Sequence, residues 1–83
     1  MVSILEVKKG TRVQLANGWY ATIEDNKVTG HTRMATVEGY CTEMGSVYAT
    51  DIRRVMKEDG SFYPVEHTPG QVKVSAHRKV FGF

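Results

Sequence analysis

The side chains best suited to nucleophilic or metal chemistry in this chain of 83 residues are its single cysteine, Cys41, and three histidines, His31, His67 and His77. A thiol attacks only when a base or a cationic neighbour lowers its pKa. No histidine stands at a family spacing from Cys41, and its flanking residues read as an apolar strand, so Cys41 is expected to be a small buried hydrophobe. No two of the four lie within the short spacings that structural zinc sites use, so no metal is expected. The acids Glu24, Asp25, Glu38, Glu43, Asp51, Glu58, Asp59 and Glu66 are scattered over turns and strand faces and read as solvated surface. Gly30, Gly39, Gly45 and Gly60 are isolated and fit turns, not a phosphate-cradling loop. The residues therefore predict a protein that is not an enzyme and holds no cofactor.

Basic and aromatic residues are the better lead. The first fifty residues balance Lys8, Lys9, Arg12, Lys27 and Arg33 against Glu6, Glu24, Asp25, Glu38 and Glu43. From Gly70 onward, Lys73, Arg78 and Lys79 meet no acid, and His77, Phe81 and Phe83 interleave with them. Positive patches attract phosphate and exposed rings stack on unpaired bases. The expected binding surface is a rim of Tyr20, Arg33, Tyr48, Arg53 and Arg54, with Lys73, Arg78 and Lys79 adding attraction from the C-terminal segment. A net charge of +2 is modest for a dedicated nucleic-acid domain, which leaves room for a protein partner. Trp19 shares the phase of Ala21 and Ile23 and is expected in the core, whereas Tyr20 points the other way.

These side chains need a scaffold, and the pattern is one of short strands punctuated by turns. In Thr11 to Ala16, Val13 and Leu15 fall on one face and Arg12 and Gln14 on the other. Asn17-Gly18 suits a two-residue hairpin turn with both residues at positive φ, and the strand returns through Trp19 to Asp25. A longer loop spans 25–31. Arg33 to Val37 and Gly39 to Thr42 read as one strand bent at Gly39, with a tight turn at Glu43-Met44-Gly45 and a short strand over Ser46 to Ala49. Thr50-Asp51-Ile52 reads as a capped 3₁₀ turn. Arg54 to Met56 then pairs through Asp59-Gly60 with Phe62 to Val65, where Pro64 restricts the strand to an edge or its end. Thr68-Pro69-Gly70-Gln71 carries a helix cap, proline at the first helical position and Gln three residues after the cap. A helix from Pro69 to about Lys79 is predicted, although Val72, Val74 and Ala76 also alternate as a strand would.

Strands at this spacing predict a mainly β fold, a small antiparallel barrel or sandwich, with an added C-terminal hairpin and a short helix. The run Lys9-Gly10-Thr11-Arg12-Val13-Gln14-Leu15, then Asn17-Gly18-Trp19 and Ala21-Thr22-Ile23, is similar to the opening of SH3-like barrels of the KOW and related kinds. Gly45-Ser46-Val47-Tyr48 followed by Asp51-Ile52-Arg53-Arg54-Val55 resembles their later strand, 3₁₀ turn and closing strand. The resemblance covers about residues 8–56 and implies an SH3-like barrel; 57–83 would be the added hairpin and basic tail of one domain spanning 1–83. Type II dihydrofolate reductases, also short SH3-like barrels, resemble the chain around Glu38-Gly39-Tyr40 and Gly45-Ser46-Val47. Their activity depends on a Val-Gln-Ile-Tyr run, and the matching stretch here is Val47-Tyr48-Ala49-Thr50, without the glutamine and isoleucine.

No apolar run approaches the roughly 20 residues of a membrane span, Met1 to Glu6 lacks a signal-peptide pattern, and one cysteine forms no internal disulfide, so the expected setting is cytoplasmic. The expected function is a non-catalytic binding or adaptor module contacting nucleic acid. The alternative is a protein–protein module, acting as a homo-oligomer and of phage or mobile-element origin.

Overall fold

Alternation in the two strongest sequence segments carries through to the backbone. In a computed structural model that describes residues 1–73, Arg12–Leu15 (β2) pairs antiparallel with Tyr20–Ile23 (β3), and Val13, Leu15, Ala21 and Ile23 all face inward. The remaining strands are β1 (Val2–Ser3), β4 (Thr32–Glu38), β5 (Thr42–Tyr48), β6 (Ile52–Met56) and β7 (Phe62–Glu66). Single 3₁₀ turns at Ile4–Glu6 and Ala49–Asp51 follow β1 and β5. The molecule is mainly β, one seven-stranded sheet in the order β1-β7-β6-β2-β3-β4-β5, with a helix starting at 69 that the described residues follow to 73.

Two features of the sheet differ from the expected antiparallel barrel. β1 runs parallel to β7, with Val2 opposite Val65 and Ser3 opposite Glu66, so the sheet is mixed. Among the described residues, backbone pairing also leaves β1 and β5 as edges and does not close on itself. The parallel pair forms because Val2, Ile4 and Val7 are apolar and bury completely against the sheet. The 3₁₀ turn between them is held by a capping box: Ser3 Oγ accepts from a backbone N–H while Glu6 accepts from the Ser3 N–H. Pro64 fits its strand because β1 pairs only with Val65 and Glu66, just past the residue that lacks an N–H.

The core comprises Val2, Ile4, Val7, Val13, Leu15, Ala21, Ile23, Ala35, Ile52 and Val55, with Val37, Val47, Tyr63 and Val65 packed around it. Each fully buried Val, Leu or Ile is worth about 1.5–3 kcal/mol, so the N-terminal segment and the sheet strands contribute to one core.

The turns correct three further expectations. Gly18 alone takes the left-handed conformation (φ +89°), and Asn17 does not. Gly18 N–H donates to Leu15 C=O and Leu15 N–H to Trp19 C=O, so the loop holds three residues and not two. The same arrangement recurs at Lys57–Ser61 with Gly60 at φ +80°. Second, residues 33–42 are not one bent strand: the chain reverses at Gly39-Tyr40-Cys41, and Glu38 pairs with Thr42. Third, Glu43-Met44-Gly45 is no turn but lies inside β5, where Gly45 stands opposite Ala35 at an ordinary φ. The reversal falls at Gly39 because the Trp19 ring occupies the place of a side chain there: a Cβ would sit 2.2 Å from it.

The C-terminal cap forms as the sequence predicts. Thr68 Oγ1 accepts from Gln71 N–H (3.2 Å), and Gln71 Oε1 accepts from Thr68 N–H (3.0 Å). Gln71 is itself buried and donates through Nε2 to the carbonyls of Gly30 (2.9 Å) and Val28 (3.3 Å), which docks the helix start on the 25–31 loop. The part of the predicted helix from 74 to 79 lies outside the described residues. No helix among the described residues is long and apolar enough to cross a membrane.

Candidate basic and aromatic site

The expected rim residues separate into distinct environments. Arg33, expected at the surface, is 1% exposed. Its Nε donates to Asp25 Oδ1 (2.7 Å), and Nη2 donates to the carbonyls of Val7 (2.6 Å) and Asp25 (3.1 Å). Asp25 also accepts from the N–H groups of Met34 and Lys27. Burial raises the Asp25 pKa, but the hydrogen bonds from Met34, Arg33 and Lys27 outweigh it and hold the carboxyl below the usual aspartate range. Arg33 odd-numbered on β4 points inward with Ala35, and the loop preceding β4 supplies the carboxylate that makes this tolerable. Arg33 therefore fastens the N-terminal segment and the 25–31 loop to the sheet and does not join the expected rim.

Tyr20 is exposed as expected, on the outer face of β3. Its ring lies 5.4 Å from Phe62 and 5.2 Å from the Arg12 guanidinium, and Arg12 in turn pairs with Glu38. The Tyr20 ring is thus engaged within the sheet face, and its cation is already neutralised.

Arg53 and Arg54 are different. Regular alternation would turn one of two consecutive residues inward. The register between β2 and β6 shifts between Gln14 and Leu15, so Gln14 faces Arg54 while Leu15 faces Ile52. This bulge leaves Ile52 and Val55 buried and both arginines exposed between them. Among the described residues neither Arg53 nor Arg54 has a carboxylate partner. Both arginines line a shallow depression of about 300 Å³ with Gln14, Ala16 and Gly18.

On the other side of the Ala16–Gly18 turn lies a groove of about 330 Å³. Its walls include Trp19, Tyr48, Val47 and Asp51, with Leu15 and Ala16 shared between the two depressions. Trp19 is not core: it is 38% exposed and meets Tyr40 edge-on at 5.5 Å. Tyr40 is fully exposed at the reversal between β4 and β5, and the Tyr48 ring is half exposed at the end of β5. Sequence phase missed Trp19 because the residue sits in the turn, before the strand alternation begins at Tyr20.

Cys41 is exposed, not buried, in the Gly39–Cys41 reversal. Its Sγ–H donates to Glu43 Oε1 (3.2 Å), which pushes the thiol pKa up and suppresses its nucleophilicity. His67 Nε2 is 2.8 Å from the Ala49 carbonyl, so this ring ties the segment after β7 to the second 3₁₀ turn. No group of three or more His, Cys, Asp or Glu among the described residues is placed to hold a metal ion. A cleft of about 570 Å³ lies between the first 3₁₀ turn and the β6–β7 hairpin, with Glu6, Glu58 and Asp59 around Val2 and Val55. Lys73 is exposed at the last described helical residue; Arg78 and Lys79 lie outside the described residues.

Comparison with family models, curated proteins and solved structures finds no match to this chain.

Proposed function

We propose that this chain is a non-catalytic binding module on an SH3-like scaffold, and that it contacts single-stranded nucleic acid across the Ala16–Gly18 turn. The scaffold reading is supported by the order β6-β2-β3-β4-β5, a meander whose last strand returns past a 3₁₀ turn to pair with the first. The observation that carries the ligand reading is the contrast among the four described arginines. Arg12 and Arg33 are paired with carboxylates, whereas Arg53 and Arg54 are exposed, adjacent and unpaired. A guanidinium fork matches phosphate oxygens, and exposed rings stack on bases regardless of sequence. Trp19, Tyr40 and Tyr48 supply the rings: Trp19 and Tyr48 line the groove that shares Leu15 and Ala16 with the arginine depression, and Tyr40 meets Trp19 edge-on. Lys73, Arg78 and Lys79 add long-range attraction.

Titrating a fluorescein-labelled single-stranded 12-mer and following anisotropy at several salt concentrations tests this reading. Log affinity should fall linearly with log salt, and R53E/R54E should weaken binding at low salt by at least about tenfold. Binding to no oligonucleotide, or binding indifferent to salt, would reject it. A protein partner is the second reading. It is favoured by the outer sheet face, where Tyr20, Met34, Met44 and Met56 are all partly exposed.

A further inference from the structure

The two edges of the sheet are managed differently. β1 is two residues long and offers almost no template. β5 is seven residues long, Thr42–Tyr48, and pairs with β4 in unbroken register from Thr42 opposite Glu38 to Tyr48 opposite Thr32. Natural edge strands are blunted by shortness, proline, lysine or a bulge. β5 has none of these, and Glu43 is its one charged residue.

Hydrogen-bond phase says which groups face outward. Ala49 N–H donates to the His31 carbonyl (2.9 Å), so odd-numbered positions on this side of the hairpin bond inward to β4. On the far side of β4, the Met34 carbonyl accepts from Glu24 N–H, as the same alternation requires. Thr42, Met44 and Ser46 therefore turn their N–H and C=O groups away from β4. Among the described residues no strand pairs with that edge.

We propose that β5 is a pairing edge for a second copy of this chain, joined antiparallel about a two-fold axis at Gly45. Gly45 is the midpoint of the strand, so this axis alone overlaps all seven residues of both copies. It sets Met44 of one copy opposite Ser46 of the other, matching outward-bonding positions along the ladder. It also sets Glu43 opposite Val47, so the strand's only charge never meets its own copy. The Gly45 positions face each other at the axis, where each is open: nothing lies within 4 Å of an added Cβ. A second copy always brings an edge in matching phase and at matching concentration. The two edges then remove each other's unpaired backbone groups, as any isologous interface must.

The test uses the full chain without nucleic acid, in sedimentation and in oxidative cross-linking. Sedimentation should give a concentration-dependent dimer. S46P deletes one outward N–H while leaving the β4 ladder whole, and it should sediment as a folded monomer with unchanged circular dichroism. Should S46P fail to fold, cross-linking on a C41S background decides. Directly opposed residues at a non-hydrogen-bonded position stand about 4.5 Å apart, within disulfide range. C41S/G45C should therefore form a disulfide dimer at least about tenfold faster than C41S/E43C, whose thiols would lie roughly 13 Å apart along the ladder. A monomer at every concentration, a dimer that survives S46P, or equal cross-linking of the two variants would overturn the proposal.

Discussion

Arg33 and the Arg53–Arg54 pair are strand cations of one sheet, yet one is sealed inside and the others stand open. The difference does not lie in the strand pattern. Arg33 falls in phase with Ala35 on the inner face and is accommodated because Asp25 and the Val7 carbonyl converge on it. Arg53 would by phase point inward too, but a bulge opposite Gln14–Leu15 turns it out, where no carboxylate among the described residues pairs with it. A cation buried with partners organises the fold; a cation exposed without partners is available to a ligand. The same residue type thus meets opposite environments on two strands, β4 and β6, of one sheet.

The sharpest way to break this contrast is to strand Arg33. Asp25→Ala leaves a buried guanidinium uncompensated and should cost about 3–5 kcal/mol, read by urea denaturation. If instead the loss is under about 1 kcal/mol, Arg33 is not the anchor described here. Gly39→Ala disturbs the open region without touching its arginines. Its Cβ would collide with Trp19, so the ring must move at a cost of about 1–3 kcal/mol, and tryptophan emission should shift. Unchanged emission would mean that the ring does not rest on Gly39.

A smaller effect concerns acid stability. The folded Asp25 carboxyl titrates below its ordinary range, so its contribution is complete above the unfolded value. It is lost as pH falls through the folded one. Unfolding free energy of the wild type should therefore drop across that acid window more steeply than that of Asp25→Asn, and parallel curves would contradict the pairing. The smallest effect is expected at the other pole. R53Q/R54Q should change stability by no more than about 0.5 kcal/mol, since both side chains are exposed and unpaired. A larger loss would show that these arginines hold the fold together.

Local patterns explain which features were readable in one dimension. The alternation of Val13, Leu15, Ala21 and Ile23 and the reciprocal cap of Thr68 and Gln71 involve neighbours in the chain, so their geometry follows from spacing. The reversal at Gly39–Cys41 was hidden because its determinant, the Trp19 ring, is twenty residues earlier. Cys41 was expected inside because a strand was expected there; a turn exposes it. Of the expected binding residues, Arg53 and Arg54 flank the same turn as Tyr48 and Trp19, Tyr20 is engaged by Arg12 and Phe62, and Arg33 is withdrawn into the core.

The amino-acid order alone determined that this chain would be mainly β, with paired strands around an apolar face and a capped helix start near Pro69. Those properties depend on backbone periodicity and on hydrogen bonds a few residues long. Only the tertiary structure decided that β1 adds in parallel, that Arg33 goes inside, and that Arg53 turns out. Each of those outcomes depends on an apolar face, a carboxylate, a carbonyl or a register shift contributed by another part of the chain, and no local pattern encodes such a meeting.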